Sequence, residues 1–362
     1  MDTEHELRTR CVRVDPQHPE PERIRRAAAL IRAGRLVAFP TETVYGLGAN
    51  ALDAQAVARI FQAKARPASD PLIVHLSTGD ELEWVVARIP VVAKALARAF
   101  WPGPLTLVLP KHARVPDLVT AGKPTVAVRV PSHPVAHALI TESKVPIAAP
   151  SANRFGQVSP TRPAHVLADL GGRISMILDG GQTFVGVEST VLSLVGEVPT
   201  ILRPGGVSRE SLIELLGEVA LNDSVVREDE AATSPGTHRK HYAPEAEVTV
   251  YRGEPSEVRR AMRAAALRLT RRGARVGVLI ADEDMKAFQE LPVQQQSVGP
   301  ADDLEGVARR LFIALRSLDR AGVSHILARE FGTRGLGLAV RDRLMRAAAG
   351  RVIEVHSQSE SP

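Results

Sequence analysis

A single cysteine, Cys11, among 362 residues removes two classes of architecture at once. Neither an internal disulfide framework nor a thiolate zinc site can form, which fits a reducing compartment and leads us to expect a cytoplasmic protein. Aromatic residues make up only 4% of the chain and are not interleaved with its basic stretches, so there is no stacking platform for single-stranded nucleic acid. Nowhere do about 18 uninterrupted apolar residues occur, which leaves no candidate membrane-spanning helix. Met1-Asp2-Thr3-Glu4-His5-Glu6 is acidic where a secretory signal is basic and then apolar, so neither secretion nor membrane association is expected. A P-loop is also missing. Gly181 and Gly186 have its spacing, but Val187 and Glu188 stand where Lys and a hydroxyl residue are needed. No Gly-x-Ser-x-Gly elbow exists, so Ser-His-Asp hydrolysis has no anchor.

What is present reads as an ordinary globular protein too long for one comfortable core, with 44% hydrophobic and 24% charged residues. The net charge of +5 is small beside 46 basic and 41 acidic residues, so it argues only weakly for a polyanionic partner. Between residues 22 and 216 short β-like runs alternate with amphipathic helices. Leu36–Phe39, Pro71–His75, Leu105–Leu109, Thr125–Arg129 and Ile147–Ala149 are the expected strands. A helix from Asp53 ends at Lys64, with Pro67 as its stop. We expect a catalytic domain over 1–216, a linker over 217–244 and a smaller domain over 245–362. In the last, runs at 248–251, 276–280 and 325–328 alternate with helices and suit a Rossmann-like parallel α/β sheet. The arginine-rich stretch 259–272 reads as the solvated face of a helix.

Several segments follow strands directly, where α/β proteins place ligands. Pro40-Thr41-Glu42-Thr43-Val44-Tyr45-Gly46-Leu47-Gly48 reads as a hydroxyl-rich, Gly-punctuated turn. Ser151-Ala152-Asn153 offers a hydroxyl and an amide within one turn, and Glu188-Ser189-Thr190 sets a carboxylate beside two hydroxyls. Lys64-Ala65-Arg66-Pro67 and Arg203-Pro204-Gly205 add cations suited to phosphate. Each segment alone is also a plain turn, cap or strand start. His133 and His137 have metal-ligand spacing, but no neighbouring Glu or third ligand supports a metal site. Gly332-Thr333-Arg334-Gly335-Leu336-Gly337 has the wrong order for a dinucleotide loop and reads as a turn into the last helix.

Taken in order, these motifs closely resemble the YrdC-type threonylcarbamoyl-AMP synthases, over roughly residues 20 to 245. Ser234-Pro235-Gly236 and His241-Tyr242-Ala243-Pro244 resemble the linker of the long, two-domain form. The resemblance implies a twisted mixed sheet with helices in the first domain. It implies an activity in which L-threonine, bicarbonate or CO2, and ATP give threonylcarbamoyl-AMP and pyrophosphate, for N6-threonylcarbamoylation of adenosine 37 in ANN-decoding tRNAs. Lys64 and Arg66 would be catalytic. Arg66, Asp70, Thr125, Ser151, Asn153, Ser159, Arg203 and Tyr242 map onto ATP contacts, with Mg2+ carried by ATP rather than by protein ligands. Thr43, His75, Arg129, Ala149 and Ser189 map onto the L-threonine pocket, with the Arg129 fork suited to the carboxylate. Asp70 departs from the expected Asn. The linker, hinged at Gly236, would close as a lid. A downstream tRNA threonylcarbamoyl transferase is the implied partner, and weak tRNA binding stays open. A non-catalytic double-stranded-RNA or tRNA-binding protein of the same fold is the alternative. A carbamoyl-phosphate-using maturation enzyme is set aside because its zinc-finger cysteine pairs are absent.

Overall fold

The computed structural model describes residues 8–222 and 241–356. The hinge expected at Ser234-Pro235-Gly236 and the basic pair Arg239-Lys240 lie outside the described residues. The described chain forms two compact units, one of 8–155 with 159–222, the other of 156–158 with 241–356.

The first unit carries a mixed sheet. Its strands are β1 (Arg10–Arg13), β2 (Val37–Pro40), β3 (Tyr45–Asn50), β4 (Ile73–His75), β5 (Leu105–Pro110), β6 (Thr125–Arg129), β7 (Ile147–Ala148), β8 (Met176–Asp179), β9 (Thr190–Ser193), β10 (Thr200–Arg203) and β11 (Ala220–Leu221). Among the described residues their order is β1-β8-β2-β3-β7-β4-β6-β5-β9-β10-β11. Parallel pairs such as β4 with β6 alternate with antiparallel ones such as β3 with β7. The sheet thus runs past residue 216 through β11, which lies parallel to β10.

The expected strands all form, within a residue or two. β3 is the instructive omission, because Gly46 and Gly48 make its sequence look like a turn. A Cβ on Gly48 would stand 2.8 Å from the Phe39 ring and 2.9 Å from Ile147 Cγ2, so glycine lets three strands close up here. β1, with arginine at both ends, has no alternating apolar pattern to reveal it.

The helix Ala54–Lys64 begins where expected. The Asp53 carboxylate accepts from the Gln55 and Ala56 N–H groups at 2.9 and 3.1 Å, satisfying two orphan donors of the first turn. It ends at Ala65, whose φ of 52° turns the chain into a left-handed cap. His133 and His137 are parted by their helix, Pro134–Ser143. His133 is buried at its N-cap, where its Nδ1 accepts from the Val135 N–H (3.2 Å), while His137 is exposed. Among the described residues no group of three His, Cys, Asp or Glu could hold a metal ion.

Packing divides the buried side chains of the sheet into separate clusters. The helices Pro21–Arg32 and Pro134–Ser143 cover one face of β2, β7 and β8 through Ile24, Ile31, Val135, Leu139, Val37, Phe39 and Met176. The other face of the sheet joins a larger core with Val57, Ile60, Val74, Val126, Val128 and Leu192. Ile73, Val108, Ala127 and Val191, on alternate positions of β4, β5, β6 and β9, belong to neither core and form a small separate cluster. This patch is the floor of the site.

The second unit is a sheet of β12 (Glu247–Gly253), β13 (Val276–Ile280), β14 (Gln294–Ser297), β15 (His325–Arg329) and β16 (Val352–Val355). Every pairing is parallel. The order β14-β13-β15-β12-β16 puts the fourth strand between the first and second, unlike the Rossmann 3-2-1-4-5. β14, Gln-Gln-Gln-Ser, has no apolar residue and could not be seen in the sequence.

Candidate active site

Parallel pairing of β4 with β6 sets Ile73 beside Ala127 and His75 beside Arg129. Thr125, Ala127 and Arg129 therefore share the face of the apolar floor. Four residues of extended chain hold Thr125 and Arg129 about 13 Å apart. The expected site residues of the first unit sort themselves toward the two ends of this ruler.

At the Thr125 end stand Lys64, Arg66, Asp70, Ser151 and Asn153. Lys64 is fully buried, and its ammonium donates to Ser151 O at 2.5 Å and to Asn153 O. The Phe155 N–H returns a bond to Lys64 O (2.9 Å). The lysine at the helix end thus braces the Ser151–Phe155 turn rather than standing open. Burial pushes its pKa well below the ordinary lysine value, Arg66 adds to this, and Asp70 and Asp169 oppose it. Arg66 donates through Nε to Asp70 O (3.0 Å) and through Nη2 to Pro71 O (2.6 Å). Nη2 also pairs with Asp70 Oδ2 at 2.9 Å, and the guanidinium lies 5.9 Å from the Phe155 ring centre. Asp70, the departure from the expected Asn, is therefore a buried counter-ion that fixes the Arg66 fork. Asn153 Nδ2 donates to Arg154 O at 2.8 Å.

At the other end Arg129 donates to Thr43 Oγ1 (3.1 Å) and to Gly103 O (3.3 Å), and pairs with Glu42 Oε1 at 2.5 Å. Thr41 Oγ1 lies 2.8 Å from Thr43 Oγ1, and Glu42 Oε2 accepts from the Ser132 N–H (3.2 Å). The guanidinium expected to meet a substrate carboxylate already holds one from the protein. His75 has its Nδ1 3.2 Å from Ile73 O and its ring edge-on to Phe39. Burial, with Arg129 adding to it, takes its pKa down to about 3, so the imidazole is neutral. The Ala149 N–H donates to Ile73 O (2.9 Å), fixing that residue over the floor.

A third group enters from β9 and β10. Arg203 donates through Nη2 to Ser189 O at 2.9 Å and to Ser189 Oγ at 3.3 Å, and Ser189 Oγ lies 2.8 Å from Thr106 Oγ1. Ser159 donates to Glu188 Oε1 at 2.5 Å. Backbone bonds tie the groups together. Gly186 N donates to Thr43 O (3.2 Å), Val185 N to Glu42 O (2.8 Å), Tyr45 N to Pro160 O (2.8 Å) and Ala152 N to Tyr45 O (2.8 Å). Gly46 and Ser151 form an isolated bridge.

The first unit thus holds thirteen of the fourteen expected residues, several of them on or beside the strands that carry this buried apolar patch. Tyr242 belongs to the second unit, buried with its ring stacked on Phe312 and with Arg343 4.9 Å above its centre. Sequence reasoning singled out the segments that hold Thr41, Glu42 and Glu188 but gave these three residues no role, and it passed over Thr106. Glu42 and Glu188 carried a signal, since each is an acid beside hydroxyl residues near a buried strand.

This fold and site define a two-domain α/β enzyme whose apolar floor carries cationic and hydroxyl residues about it. Two family profiles match the chain in succession. One, the Sua5, yciO and yrdC profile described as Telomere recombination, covers residues 29–205, and the other, Threonylcarbamoyl-AMP synthase, C-terminal domain, covers 207–349. The threonylcarbamoyl-AMP synthase of Pyrococcus abyssi is 48% identical over 93% of this chain and 97% of its own length. That of Bacillus subtilis is 46% identical over 94% of this chain and 95% of its own. A crystal structure of P. abyssi Sua5 complexed with L-threonine aligns with a TM-score of 0.91 at 47% identity, covering 96% of this chain and 100% of that one. The chain belongs to the threonylcarbamoyl-AMP synthase family, in its two-domain form.

Proposed function

We propose that this floor is where the chain, acting as a threonylcarbamoyl-AMP synthase, joins L-threonine, bicarbonate or CO2, and ATP. The amine of L-threonine adds to CO2 and loses a proton. The carbamate oxygen then attacks the α-phosphorus of ATP, and pyrophosphate leaves. Such chemistry asks for positioning and charge stabilisation more than for a covalent nucleophile.

The nucleotide lies toward Arg66, Thr125, Ser151, Asn153, Ser159 and Arg203, and the amino acid toward Thr43, His75, Arg129, Ala149 and Ser189. The observation that carries this reading is the ruler itself, which sets cations and hydroxyls at one end and Arg129 with its hydroxyls at the other. Lys64 contributes a buried positive charge and, through Ser151 O and Asn153 O, the geometry of the turn that meets the nucleotide. The amino-acid carboxylate takes the place of Glu42 on one edge of the Arg129 fork. Neutral His75 presents an uncharged ring beside the substrate. Asp70 is held by Arg66 and Glu188 by Ser159. Mg2+ carried by the triphosphate would supply neutralisation of phosphate charge.

By the same reading the chain works in the cytoplasm and hands its product to a tRNA threonylcarbamoyl transferase. Among the described residues no helix is long and apolar enough to cross a membrane. The test is pyrophosphate release dependent on both L-threonine and bicarbonate. Lys64→Ala or Arg66→Ala should lower it by about 10²-fold or more with the fold retained, since loss of one such group removes a few kcal/mol of transition-state stabilisation. An unchanged rate in a folded variant would overturn the assignment.

A further inference from the structure

The second unit has a cavity of about 230 Å3 that the reaction above does not use. It is lined by Gly253 at the end of β12 and Pro255 after it, by Ala301 after β14, and by Arg329 at the end of β15 with Glu330 and Gly332 after it. All of these lie at the carboxyl edge of one parallel sheet. β12 leaves through the helix Pro255–Arg271 toward β13, crossing β15, while β15 leaves through the helix Gly337–Ala347 toward β16, crossing β12. Chains from two adjacent strands therefore depart in opposite directions, and between them opens the crevice in which open α/β sheets bind ligands.

Around this crevice arginines stand among carboxylates, and Glu283 accepts from the N–H of the lining Ala301 at 3.1 and 3.3 Å. Asp284, almost fully buried, pairs with Arg329 Nη1 at 2.7 Å and with Arg259 Nη1 at 3.1 Å, so one carboxylate balances two guanidiniums. Glu330, the acid that lines the cavity, is held by Arg341 Nε at 2.9 Å. The Arg329 guanidinium lies 5.5 Å from the Phe331 ring centre, an apolar surface that keeps its fork extended. Beyond Phe331 runs the Gly332-Thr333-Arg334-Gly335-Leu336-Gly337 segment. Gly332 and Gly335 adopt φ of +86° and +53°, and a Cβ on Gly337 would stand 3.0 Å from Gly332 O, so the glycines let this loop curl beside the crevice.

We propose that the crevice between β12 and β15 is a second ligand site, which takes a small phosphate monoester of about the size of a nucleoside monophosphate, with Arg329 as its cation. The site is complete within the second unit and stands independently of the reaction assigned to the first.

The probes are AMP, ribose 5-phosphate and inorganic phosphate, titrated calorimetrically into the full chain, with photolabelling by 8-azido-AMP to locate the sites. Gly332 offers a clean perturbation, because a Cβ there meets nothing within 4 Å and Asn and Asp both tolerate positive φ. Gly332→Asp places a carboxylate at the rim without removing a contact, and Gly332→Asn is its neutral control. We expect label in peptides spanning 251–258 or 329–337, competed by ribose 5-phosphate or phosphate. Gly332→Asp should weaken this binding roughly tenfold or more through like-charge repulsion, and Gly332→Asn far less. Label confined to peptides of residues 40–210, or binding at this locus equal in the Asp and Asn variants, would overturn the proposal. Arg329→Gln, checked by circular dichroism, should lose the label as well, and retention of label by a folded Arg329→Gln would also overturn it.

Discussion

Gly205 is the position at which a single methyl group should do most harm to the chemistry and least to the fold. It follows Arg203-Pro204 at the end of β10, and a Cβ there would lie 2.3 Å from Glu188 O, Ser189 C and Thr190 N. All three are backbone atoms, so no rotamer change can relieve the clash. Bringing 2.3 Å to the 3.4 Å of ordinary contact means displacing one strand from the other by about 1.1 Å. The displaced segment is the one whose Glu188 receives the Ser159 hydroxyl and whose Ser189 is held by Arg203 and Thr106. A misplacement of about 1 Å in a positioning site costs about 10²-fold in rate, equivalent to about 2.7 kcal/mol of barrier. Overpacking of this kind destabilises by about 1–3 kcal/mol, which a domain whose main core is untouched should survive. Gly205→Ala should thus keep its circular dichroism spectrum, melt a few degrees lower and lose about 10²-fold in L-threonine-dependent pyrophosphate release. Gly79→Ala, where the nearest atom to the new Cβ is Trp101 Cε3 at 4.0 Å, serves as the control and should be unaffected. Activity of Gly205→Ala within twofold of the parent would refute the reasoning that this strand contact sets the site.

Asp70→Asn removes the buried counter-ion of Arg66 while leaving that guanidinium its bonds to Asp70 O and Pro71 O; the melting temperature should fall, and the KM for ATP should fall a few-fold because a negative charge has left the phosphate end. An unchanged or higher KM would argue that Asp70 does not face the nucleotide. Acid should destabilise the fold in a defined window. His75 and His133 are held neutral by burial, at about 3 and about 4, against 6.5 when unfolded. The unfolded chain therefore binds about two more protons near pH 5, and the stability these residues contribute, complete above pH 6.5, is lost as the pH falls toward 4. The combined slope is about 2.7 kcal/mol per pH unit in urea unfolding, and His133→Asn should remove about half of it; an unaltered slope in that variant would refute the assignment. L-Valine should be turned over at least 10²-fold less well than L-threonine, since Thr43 and Ser189 present hydroxyls that a methyl group cannot satisfy, and comparable kcat/KM values would show that they do not face the side chain.

Much of this protein was legible in its residues. The runs Leu105–Leu109 and Thr125–Arg129 became strands because alternation of apolar side chains leaves a chain few other ways to bury them. Asp53 and Pro67 marked the helix before Lys64 because capping and proline act locally. The ordered motifs were enough to assign the family. β3, β14 and β1 were hidden because their cause is a neighbour. Gly48 suits a strand only once Phe39 and Ile147 press on it, and Gln294–Ser297 becomes a strand only beside β13.

The direction in which the functional side chains point was settled by tertiary structure alone. Nothing in Lys64-Ala65-Arg66 says that the lysine turns inward onto Ser151 O and Asn153 O while the arginine is locked by Asp70. Nor does Pro-Thr-Glu-Thr reveal that Glu42 reaches across to Arg129. Lys64 and Arg129 each pair a buried charge with a partner more than 80 residues away, and the cost of leaving such a charge unpaired fixes the geometry only after the strands have met.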